Sequence, residues 1–357
     1  MARELSFFLP ILIVVALSQC KAFLVPAEPQ VPCYFVFGDS LVDSGNNNEL
    51  RTTAKANFKP YGIDFPQGVT GRFTNGRTMA DIIGQLLGFS NFIPPYATAS
   101  DQEISTGVNY ASGSAGIREE TGSHLGYRIS LDRQLLNHKA TISRLSVIQT
   151  NKTFTHEYLQ KCIYLSNVGS NDYINNYLIP NNYSTSKKYT RDQYAAVLVQ
   201  QYSQHLKTLY NLGARKIAVI GLGQIGCVPA EIARFGTGGK LCVESINNAV
   251  KLFNDKLKDL VDELNKDYSE ARFTFINFTN IVPVEVITTL PIVPCCPLRA
   301  DGECVENSSP CPIRALSLFY DGFHPSEIAN TLVATRSYLA ISPMDASPYD
   351  ISHLARL

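Results

Sequence analysis

The sequence contains few charged residues and no run of basic ones. Charged side chains make up 17% of the 357 residues, with 31 of each sign and a formal net charge of zero. Binding to nucleic acid or to an anionic membrane would need a concentration of Lys and Arg, so we expect neither partner. Hydrophobic residues make up 45%, which excludes a disordered chain, and no internal repeat is present. We therefore predict a globular protein that acts on a small neutral or weakly polar ligand.

The N-terminus differs from the rest of the chain. Arg3 precedes an apolar run at residues 7–17, and small or polar residues follow it. A membrane-spanning helix needs about 20 apolar residues, whereas this run is shorter and Pro10 interrupts it. The pattern predicts a secretory signal peptide at residues 1–26 and no stable membrane anchor. Because prolines and glycines are not gathered into a linker, we expect residues 27–357 to form a single domain. The signal peptide indicates that this domain is secreted to the cell exterior. We also expect it to be a monomer.

Removal of the signal peptide would leave an even number of cysteines, which permits complete pairing in an oxidising compartment. These are Cys33, Cys162, Cys227, Cys242, Cys295, Cys296, Cys304 and Cys311. Zinc is the alternative, but the last four include no Cys-x-x-Cys pair and only His324 lies nearby, so disulfides are favoured and no metal is expected. Four Asn-x-Ser/Thr sequons are consistent with an exported glycoprotein. They begin at Asn151, Asn182, Asn277 and Asn307.

Short apolar runs alternate with helical patterns along the chain. The runs that read as buried strands are residues 33–37, 107–111, 162–166, 216–220 and 273–277. Helices are predicted at 78–87, from a cap at Thr190 to before Gly213, around the apolar stripe at 250–264, and at 327–338. Alternating strands and helices indicate an α/β fold in which helices cover both faces of a parallel sheet, giving three layers.

The ligand site of such a sheet lies at the carboxyl ends of its strands. Ser40 follows the first predicted strand, Gly113 the second and Asn171 the third. The Ser40 hydroxyl is therefore a candidate nucleophile. The backbone N–H groups of Ser40 and Gly113, together with the Asn171 carboxamide, are candidate donors to a developing oxyanion. Each donor also has a plainer role, since Gly113 suits a turn and Asn171 suits a helix cap.

A serine nucleophile needs a base, and the base needs an acceptor that orients it. Asp321 and His324 lie three residues apart on a predicted turn, and Pro325 follows at the start of a helix. The Asp321 carboxylate can bind one ring nitrogen of His324 and leave the other facing Ser40. A short motif of this kind is often only a surface loop, and the combination with Ser40 is what indicates catalysis.

Two other motifs are weaker. Residues 221–226 satisfy the G-x-G-x-x-G fingerprint of dinucleotide sites, but Cys227 and Pro229 follow at once and no acidic residue lies on a clear second strand. We expect a turn at a strand end with a disulfide at Cys227. Ser114 lies in a segment close to the G-x-S-x-G elbow of α/β-hydrolases, but the first position, residue 112, is serine, which disfavours that fold.

Five blocks in a fixed order carry a family resemblance. They are Phe-Gly-Asp-Ser-Leu-Val-Asp at 37–43, Asn-Gly-Arg-Thr at 75–78, Gly-Val-Asn-Tyr-Ala-Ser-Gly at 107–113, Gly-Ser-Asn-Asp-Tyr at 169–173 and Asp-Gly-Phe-His-Pro at 321–325. The chain resembles the plant GDSL esterase/lipases of the SGNH hydrolase superfamily. The resemblance implies a flavodoxin-like three-layer fold, ester substrates, and neither metal nor organic cofactor. It also implies roles for particular residues: Ser40 as nucleophile, His324 as base, Asp321 as its partner, and Ser40, Gly113 and Asn171 as oxyanion donors.

The chain departs from the family pattern at two positions and in the segment 281–293, which is short for the family. Tyr320 stands where the family usually has Trp, and Pro297 where it usually has Gly. We expect both to alter the walls beside His324 without removing a catalytic group.

The sequence thus predicts a secreted serine esterase or lipase that hydrolyses carboxylic esters through an acyl-enzyme. A lipid, an acylated sugar or a small acyl ester would serve as substrate. Two alternatives stay open: acyl transfer at the same site, when an alcohol replaces water, and a catalytically weak secreted protein that binds glycans or lipids.

Overall fold

A computed structural model describes residues 28–149, 152–287, 289 and 292–357, and a five-stranded sheet lies at its centre. The strands, adjacent in this order, are β1 (Tyr34–Gly38), β2 (Ile163–Asn167), β3 (Lys216–Ile220), β4 (Arg272–Ile276) and β5 (Ala346–Ser347). The first four are parallel, with Tyr34 opposite Ile163 and Lys216 opposite both Ile163 and Arg272, while β5 runs antiparallel to β4. The carboxyl ends of the four parallel strands therefore meet at one edge.

Helices connect the strands. The longer ones are α1 (Met79–Leu86), α2 (Leu131–Ile148), α3 (Lys152–Lys161), α4 (Arg191–Asn211), α5 (Pro229–Phe235), α6 (Glu244–Asp267), α7 (Glu327–Tyr338) and α8 (Ile351–Arg356). Shorter helical segments lie at Ser170–Asp172, Tyr173–Tyr177, Thr185–Lys188, Phe278–Ile281 and Val284–Ile287. Single 3₁₀ turns lie at Glu103–Ser105, Ser123–Leu125, Ile225–Cys227 and Arg314–Leu316.

Alternate side chains of the strands pack into two separate hydrophobic cores, one on each face of the sheet. Phe35 and Phe37 of β1 point to the face that α2, α3, α4 and α6 cover. Tyr34 and Val36 point to the opposite face, which is covered by α1, α7 and α8. A sheet buried on both faces explains the near-continuous apolar runs of its strands. The predicted α/β class with three layers is confirmed.

Most predicted elements are present within a residue or two. The predicted cap at Thr190 is confirmed, because its side chain accepts a hydrogen bond from the Gln193 N–H. Thr78 caps the helix predicted at 78–87 in the same way, by accepting from the Asp81 N–H. The strand predicted at 107–111 is wrong as a regular strand, although the segment lies beside β1 and shares backbone hydrogen bonds with it, such as those from the Val36 N–H to the Val108 carbonyl and from the Tyr110 N–H to the Val36 carbonyl. The pairing is interrupted at both ends. Gly107 has a φ of +129°, and a Cβ there would lie 1.9 Å from the Tyr34 carbonyl oxygen, while the Gly38 N–H donates to Gln134.

All eight cysteines that follow residue 27 form disulfides, which confirms pairing rather than zinc ligation. The pairs are Cys33–Cys162, Cys227–Cys242, Cys295–Cys311 and Cys296–Cys304. Such pairing is typical of proteins in oxidising compartments. Within residues 28–357, excluding the few positions not described, no helix is long and apolar enough to cross a membrane.

The sequons lie in different surroundings. Asn182 and Asn307 are exposed. Asn277 is half-buried, and its side-chain oxygen accepts from the Asn280 N–H and the Thr279 hydroxyl. Asn151 and the signal peptide predicted for residues 1–26 both lie outside the described residues.

Candidate active site

Ser40 lies two residues beyond the end of β1. The preceding strand residue, Gly38, approaches its neighbour so closely that a Cβ would lie 2.2 Å from the Asn167 carbonyl oxygen. The buried Gln134 side chain both accepts from the Gly38 N–H at 2.9 Å and donates to its carbonyl at 2.8 Å. The strand end is thus held from β2 and α2. Ser40 itself is 9% exposed and lines a cavity at the carboxyl edge of the sheet.

Ser40, His324 and Asp321 form one hydrogen-bonded chain. His324 Nε2 lies 2.8 Å from Ser40 Oγ, and His324 Nδ1 lies 2.8 Å from Asp321 Oδ2. Since a carboxylate only accepts, Nδ1 carries the proton and Nε2 is left to accept from the serine hydroxyl. All three side chains are less than 10% exposed. The geometry is that of a serine, its general base and an orienting carboxylate.

Asp321 is fully buried and accepts several hydrogen bonds. Oδ1 accepts from the backbone N–H groups of Phe323 at 2.8 Å and His324 at 2.7 Å, and Oδ2 accepts from the Tyr61 hydroxyl at 2.6 Å. Burial raises the pKa of Asp321, but the charge that His324 carries when protonated and these hydrogen bonds outweigh it and hold the pKa below its usual value. Asp321 therefore stays ionised beside His324.

The predicted oxyanion donors have different surroundings. Asn171, 7% exposed, follows β2 and lines the cavity. Its carboxamide donates to the Ala115 carbonyl at 3.0 Å and accepts from Asn175 at 2.6 Å, which fixes its orientation. The Gly113 N–H, by contrast, donates to Asp43 Oδ2 at 3.0 Å, so in this structure it is already engaged. Asp43 also accepts from two backbone N–H groups of its own loop.

Ser114, the residue after Gly113, lines the cavity in its place. Its φ is +64°, a left-handed conformation that is uncommon for a residue with a side chain. Ser114 is 3% exposed, and its hydroxyl has no hydrogen-bond partner among the described residues. In the sequence Ser114 stands out only because its segment is close to a G-x-S-x-G elbow. That motif does not indicate that Ser114 lines the same cavity as Ser40.

The sequence motifs indicate no functional role for two buried carboxyl groups near the site, those of Asp39 and Glu303. Burial raises the pKa of Asp39, the neighbour of Ser40, to about 7, with the Leu41 N–H opposing the shift. Burial, then the charge of Asp321, raises the pKa of Glu303 to about 9, although Arg299 opposes it. Both residues line the cavity. A buried carboxyl has no sequence signal apart from its neighbours.

The weaker motifs and the family departures are placed as follows. Residues 221–226 form a turn after β3 that leads into the Cys227–Cys242 disulfide, as expected. Tyr320 is buried, and its hydroxyl donates to the Pro60 carbonyl at 2.6 Å rather than facing the cavity. Pro297 accepts from the Val305 N–H in the disulfide loop. Among the described residues neither lines the cavity, although Tyr320 packs in one cluster with Phe73, which does. An effect of the two departures on the walls beside His324 stays a prediction.

The structure is a three-layer α/β fold in which Ser40, His324 and Asp321 are hydrogen-bonded to one another at the carboxyl edge of the sheet. Comparison with known proteins identifies the class of protein. The family model described as GDSL-like Lipase/Acylhydrolase matches residues 34–336. One GDSL esterase/lipase of Arabidopsis thaliana is 50% identical over 344 residues, 94% of each chain. Another from the same plant is 45% identical over 366 residues and covers 100% of both chains. The chain belongs to the GDSL-like lipase/acylhydrolase family, a family of carboxylic ester hydrolases.

Among solved structures, the chain is similar to the crystal structure of phospholipase A1 from Streptomyces albidoflavus NA297. The TM-score is 0.35 and the identity 13%, with 86% of this chain and 99% of the other covered. Nothing about function follows from a likeness this low.

Proposed function

We propose that this chain hydrolyses carboxylic esters through a triad of Ser40, His324 and Asp321 and an acyl-enzyme intermediate. The observation that carries the proposal is the continuous chain of contacts from Ser40 Oγ to His324 Nε2, and from His324 Nδ1 to Asp321, at 2.8 Å each. This order of groups is what activates a hydroxyl whose own acidity is too low for attack at neutral pH.

The reaction follows from these contacts. Ser40 Oγ attacks the ester carbonyl carbon while its proton moves to His324 Nε2, and the carbonyl oxygen becomes an oxyanion. His324 then returns the proton to the departing alkoxide, which leaves as the alcohol. Water attacks the acyl-serine while His324 takes its proton, and His324 then returns that proton to Ser40 Oγ as the bond to the acyl group breaks and the acid is released. Asp321 stabilises the protonated ring and keeps Nδ1 as the donor.

The oxyanion needs preorganised donors. The Asn171 carboxamide lines the cavity and is held by two hydrogen bonds, so it meets the requirement for a fixed side-chain donor. The Ser40 N–H is the second donor in the proposal. Gly113 is the proposed third donor. For this role its N–H must give up its hydrogen bond to Asp43 and donate to the oxyanion instead.

We also propose that the protein is exported, with residues 1–26 removed and residues 27–357 folded as a single extracellular domain that acts as a monomer. Four disulfides support an oxidising compartment. Asn182 and Asn307 are exposed enough to carry glycans. We expect an N-glycosidase to lower the mass of the secreted protein, with the glycans lost from Asn182 and Asn307.

The test is hydrolysis of p-nitrophenyl esters by the secreted protein and by Ser40→Ala. The control is Ser90→Ala, since Ser90 is exposed. We expect Ser40→Ala to lose at least a thousandfold in kcat and the control to match wild type. Equal activity in Ser40→Ala and wild type would refute the nucleophile. Product analysis with an alcohol present measures how much acyl transfer accompanies hydrolysis.

A further inference from the structure

The cavity that holds Ser40 is lined by groups of one charge. Asp39, Asp301 and Glu303 line it, and among the described residues of its lining there is no Lys or Arg. His324 is the one other titratable side chain of that lining. The cavity can therefore offer negative charge to a bound group, whereas positive charge can come from His324 alone.

Two of these acids lie against the segment that carries His324. Asp301 and Glu303, which we call the acidic pair, flank Gly302 in the disulfide loop. The Gly322 N–H donates to the Gly302 carbonyl at 2.8 Å, two residues before His324. The acidic pair is thus placed on the His324 side of the cavity.

The position of His324 determines which part of an ester meets the acidic pair. During attack by Ser40, the protonated imidazole must return its proton to the oxygen of the departing alcohol. The alcohol therefore leaves on the side where His324 lies. Since the acidic pair packs on that side, it lies nearer to the alcohol than to the acyl group.

One guanidinium serves both members of the acidic pair. Arg299 Nη2 lies 2.6 Å from Asp301 Oδ2 and 2.8 Å from Glu303 Oε2. Burial, then the charge of Asp321, raises the pKa of Glu303 to about 9. At neutral pH a proton thus neutralises the second carboxyl, and a bound cation can replace that proton. The titratable groups that face Glu303 are Arg299, Asp301, Asp321 and Tyr61.

Asp39 provides a separate observation beside Ser40. Its side chain is 1% exposed, Oδ1 accepts from the Leu41 N–H at 3.0 Å, and Oδ2 has no hydrogen-bond partner among the described residues. Burial raises the pKa of Asp39 to about 7. The titratable groups that face it are His324, Asp43, Asp172 and Tyr202. A buried carboxyl oxygen without a partner, in the lining of the cavity, favours a ligand that brings positive charge.

Two aromatic rings add to the attraction for a cation. Phe73 and Phe323 line the cavity, with ring centroids 4.9 and 6.3 Å from that of His324. Phe73 also packs in one cluster with Cys304, the residue after Glu303. Aromatic faces attract cations, and alkylated ammonium groups are typical ligands of such rings.

We propose that the acidic pair binds a positively charged group, such as a quaternary ammonium, on the alcohol part of the ester. The inference rests on the proposed function, because it places the ester carbonyl at Ser40. An alcohol that carries a phosphate or sulfonate would bring a like charge to the acidic pair and is disfavoured. The expected order of kcat/KM is therefore cationic, then neutral, then anionic alcohols.

The test compares three butyrate esters whose alcohols are similar in size. They are the esters of choline, of its neutral carbon isostere 3,3-dimethylbutanol, and of the anionic 2-hydroxyethanesulfonate. The measured quantity is the ratio of kcat/KM for the choline ester to that for the neutral ester, each divided by its rate of hydrolysis by hydroxide. Differences in leaving-group acidity and the titration of the triad then cancel.

The ratio should depend on pH in wild type. Asp39 and Glu303 gain negative charge as the pH rises from 6 to 9, because their pKa values are about 7 and about 9. We expect the ratio to rise about tenfold over this range, and the sulfonate ester to be the slowest of the three throughout.

Two variants of the acidic pair locate the effect. Glu303→Gln removes the charge and keeps the shape, and Asp301→Asn does the same at an exposed position that leaves the core untouched. We expect each to lower the ratio at pH 9 about fivefold. The control is Glu306→Gln, an exposed change in the same loop at a residue outside the cavity lining, and its ratio should match wild type.

Several results would overturn the inference while the proposed function stands. They are a wild-type ratio that stays constant from pH 6 to pH 9, a ratio unchanged in both Glu303→Gln and Asp301→Asn, and hydrolysis of the sulfonate ester as fast as that of the neutral ester. A wild-type protein inactive on all three esters and on p-nitrophenyl esters would refute the proposed function, and the inference with it.

Discussion

The Tyr61 hydroxyl donates a hydrogen bond to Asp321 Oδ2 at 2.6 Å across 260 positions of sequence. The same hydroxyl accepts from the Cys304 N–H at 3.1 Å. Tyr61 is fully buried in a cluster with Phe73, Tyr320 and the cysteines of the Cys296–Cys304 disulfide. The Tyr61 side chain therefore connects the disulfide loop to Asp321, which is hydrogen-bonded to His324. We propose that Tyr61 is a positioning residue for the proposed triad.

Replacement of Tyr61 by Phe is expected to lower kcat about tenfold and to move the acid limb of the pH–rate profile to higher pH. The physical reason is that the hydroxyl helps to hold the pKa of Asp321 below its usual value, so its loss raises that pKa. The measurement is kcat/KM from pH 4 to pH 9.

Tyr320→Phe is the matched control for this prediction. It removes another buried tyrosine hydroxyl from the same cluster, but that hydroxyl donates to the Pro60 carbonyl. We expect both variants to lose stability and only Tyr61→Phe to shift the pH profile. Identical profiles for the two variants would show that Tyr61 has a structural role only.

Asn171→Ala is expected to reduce kcat by roughly a hundred- to a thousandfold, about 3 to 4 kcal/mol, with little change in the folded structure. Asn175→Ala should give a smaller loss of about tenfold, since Asn175 donates to Asn171 Oδ1 and acts through its orientation. The measurement is steady-state hydrolysis of a single p-nitrophenyl ester. Turnover within threefold of wild type in Asn171→Ala would remove this residue from the oxyanion site.

Ser114→Gly separates stability from activity. Ser114 has a φ of +64°, which glycine adopts without strain, so the variant should gain about 1 kcal/mol of stability. Ser114 lines the cavity, and its buried hydroxyl has no partner among the described residues. We expect loss of this hydroxyl to lower kcat about fivefold, because it would remove a contact to the reacting ester. Thermal unfolding and ester hydrolysis are measured together. A more stable variant with unchanged kcat would mean that the hydroxyl does not contact the ester.

Because several carboxyl groups are buried, we expect the free energy of unfolding to rise as the pH falls from 9 to 7. Burial raises the pKa of Glu303 to about 9 and that of Asp39 and Glu231 to about 7. In the unfolded chain all three are ionised in this range, so the folded state binds more protons and is favoured as the pH is lowered. The measurement is the Tm at pH 7, 8 and 9.

The variant Glu303→Gln isolates one of these groups, because it removes the proton that the folded chain binds with a pKa of about 9. We expect a weaker dependence of Tm on pH than in wild type. Glu306→Gln, an exposed change in the same loop, should leave the dependence intact. A Tm that increases from pH 7 to pH 9 in wild type would contradict the prediction.

The sequence reveals the fold where side-chain pattern and burial coincide. Strands β1 to β4 are mostly apolar runs between helical stripes, and the cap predicted at Thr190 marks where α4 begins. Strand β5 has only two residues and pairs antiparallel to β4, so it has no periodicity to read. The segment at 107–111 has the composition of a strand, but its pairing with β1 is interrupted at Gly107 and at Gly38.

The candidate site is readable only in part for a similar reason. Ser40 and Asn171 follow strands, and the edge of a parallel sheet brings such residues together. Tyr61 lies in a long irregular segment between β1 and α1, where no pattern indicates which distant residue it contacts. The engagement of the Gly113 N–H by Asp43 and the pairing of Cys295 with Cys311 likewise depend on three-dimensional proximity.

The most direct test of the account is to locate the covalent intermediate. The secreted protein is treated with a fluorophosphonate, which reacts with activated serines, and the modified peptide is identified by mass spectrometry in wild type, Ser40→Ala and His324→Ala. The account predicts one phosphonyl group per chain on Ser40, none in Ser40→Ala, and much slower labelling in His324→Ala. Labelling of Ser114 instead, or ester hydrolysis that continues while Ser40 stays unmodified, would contradict it.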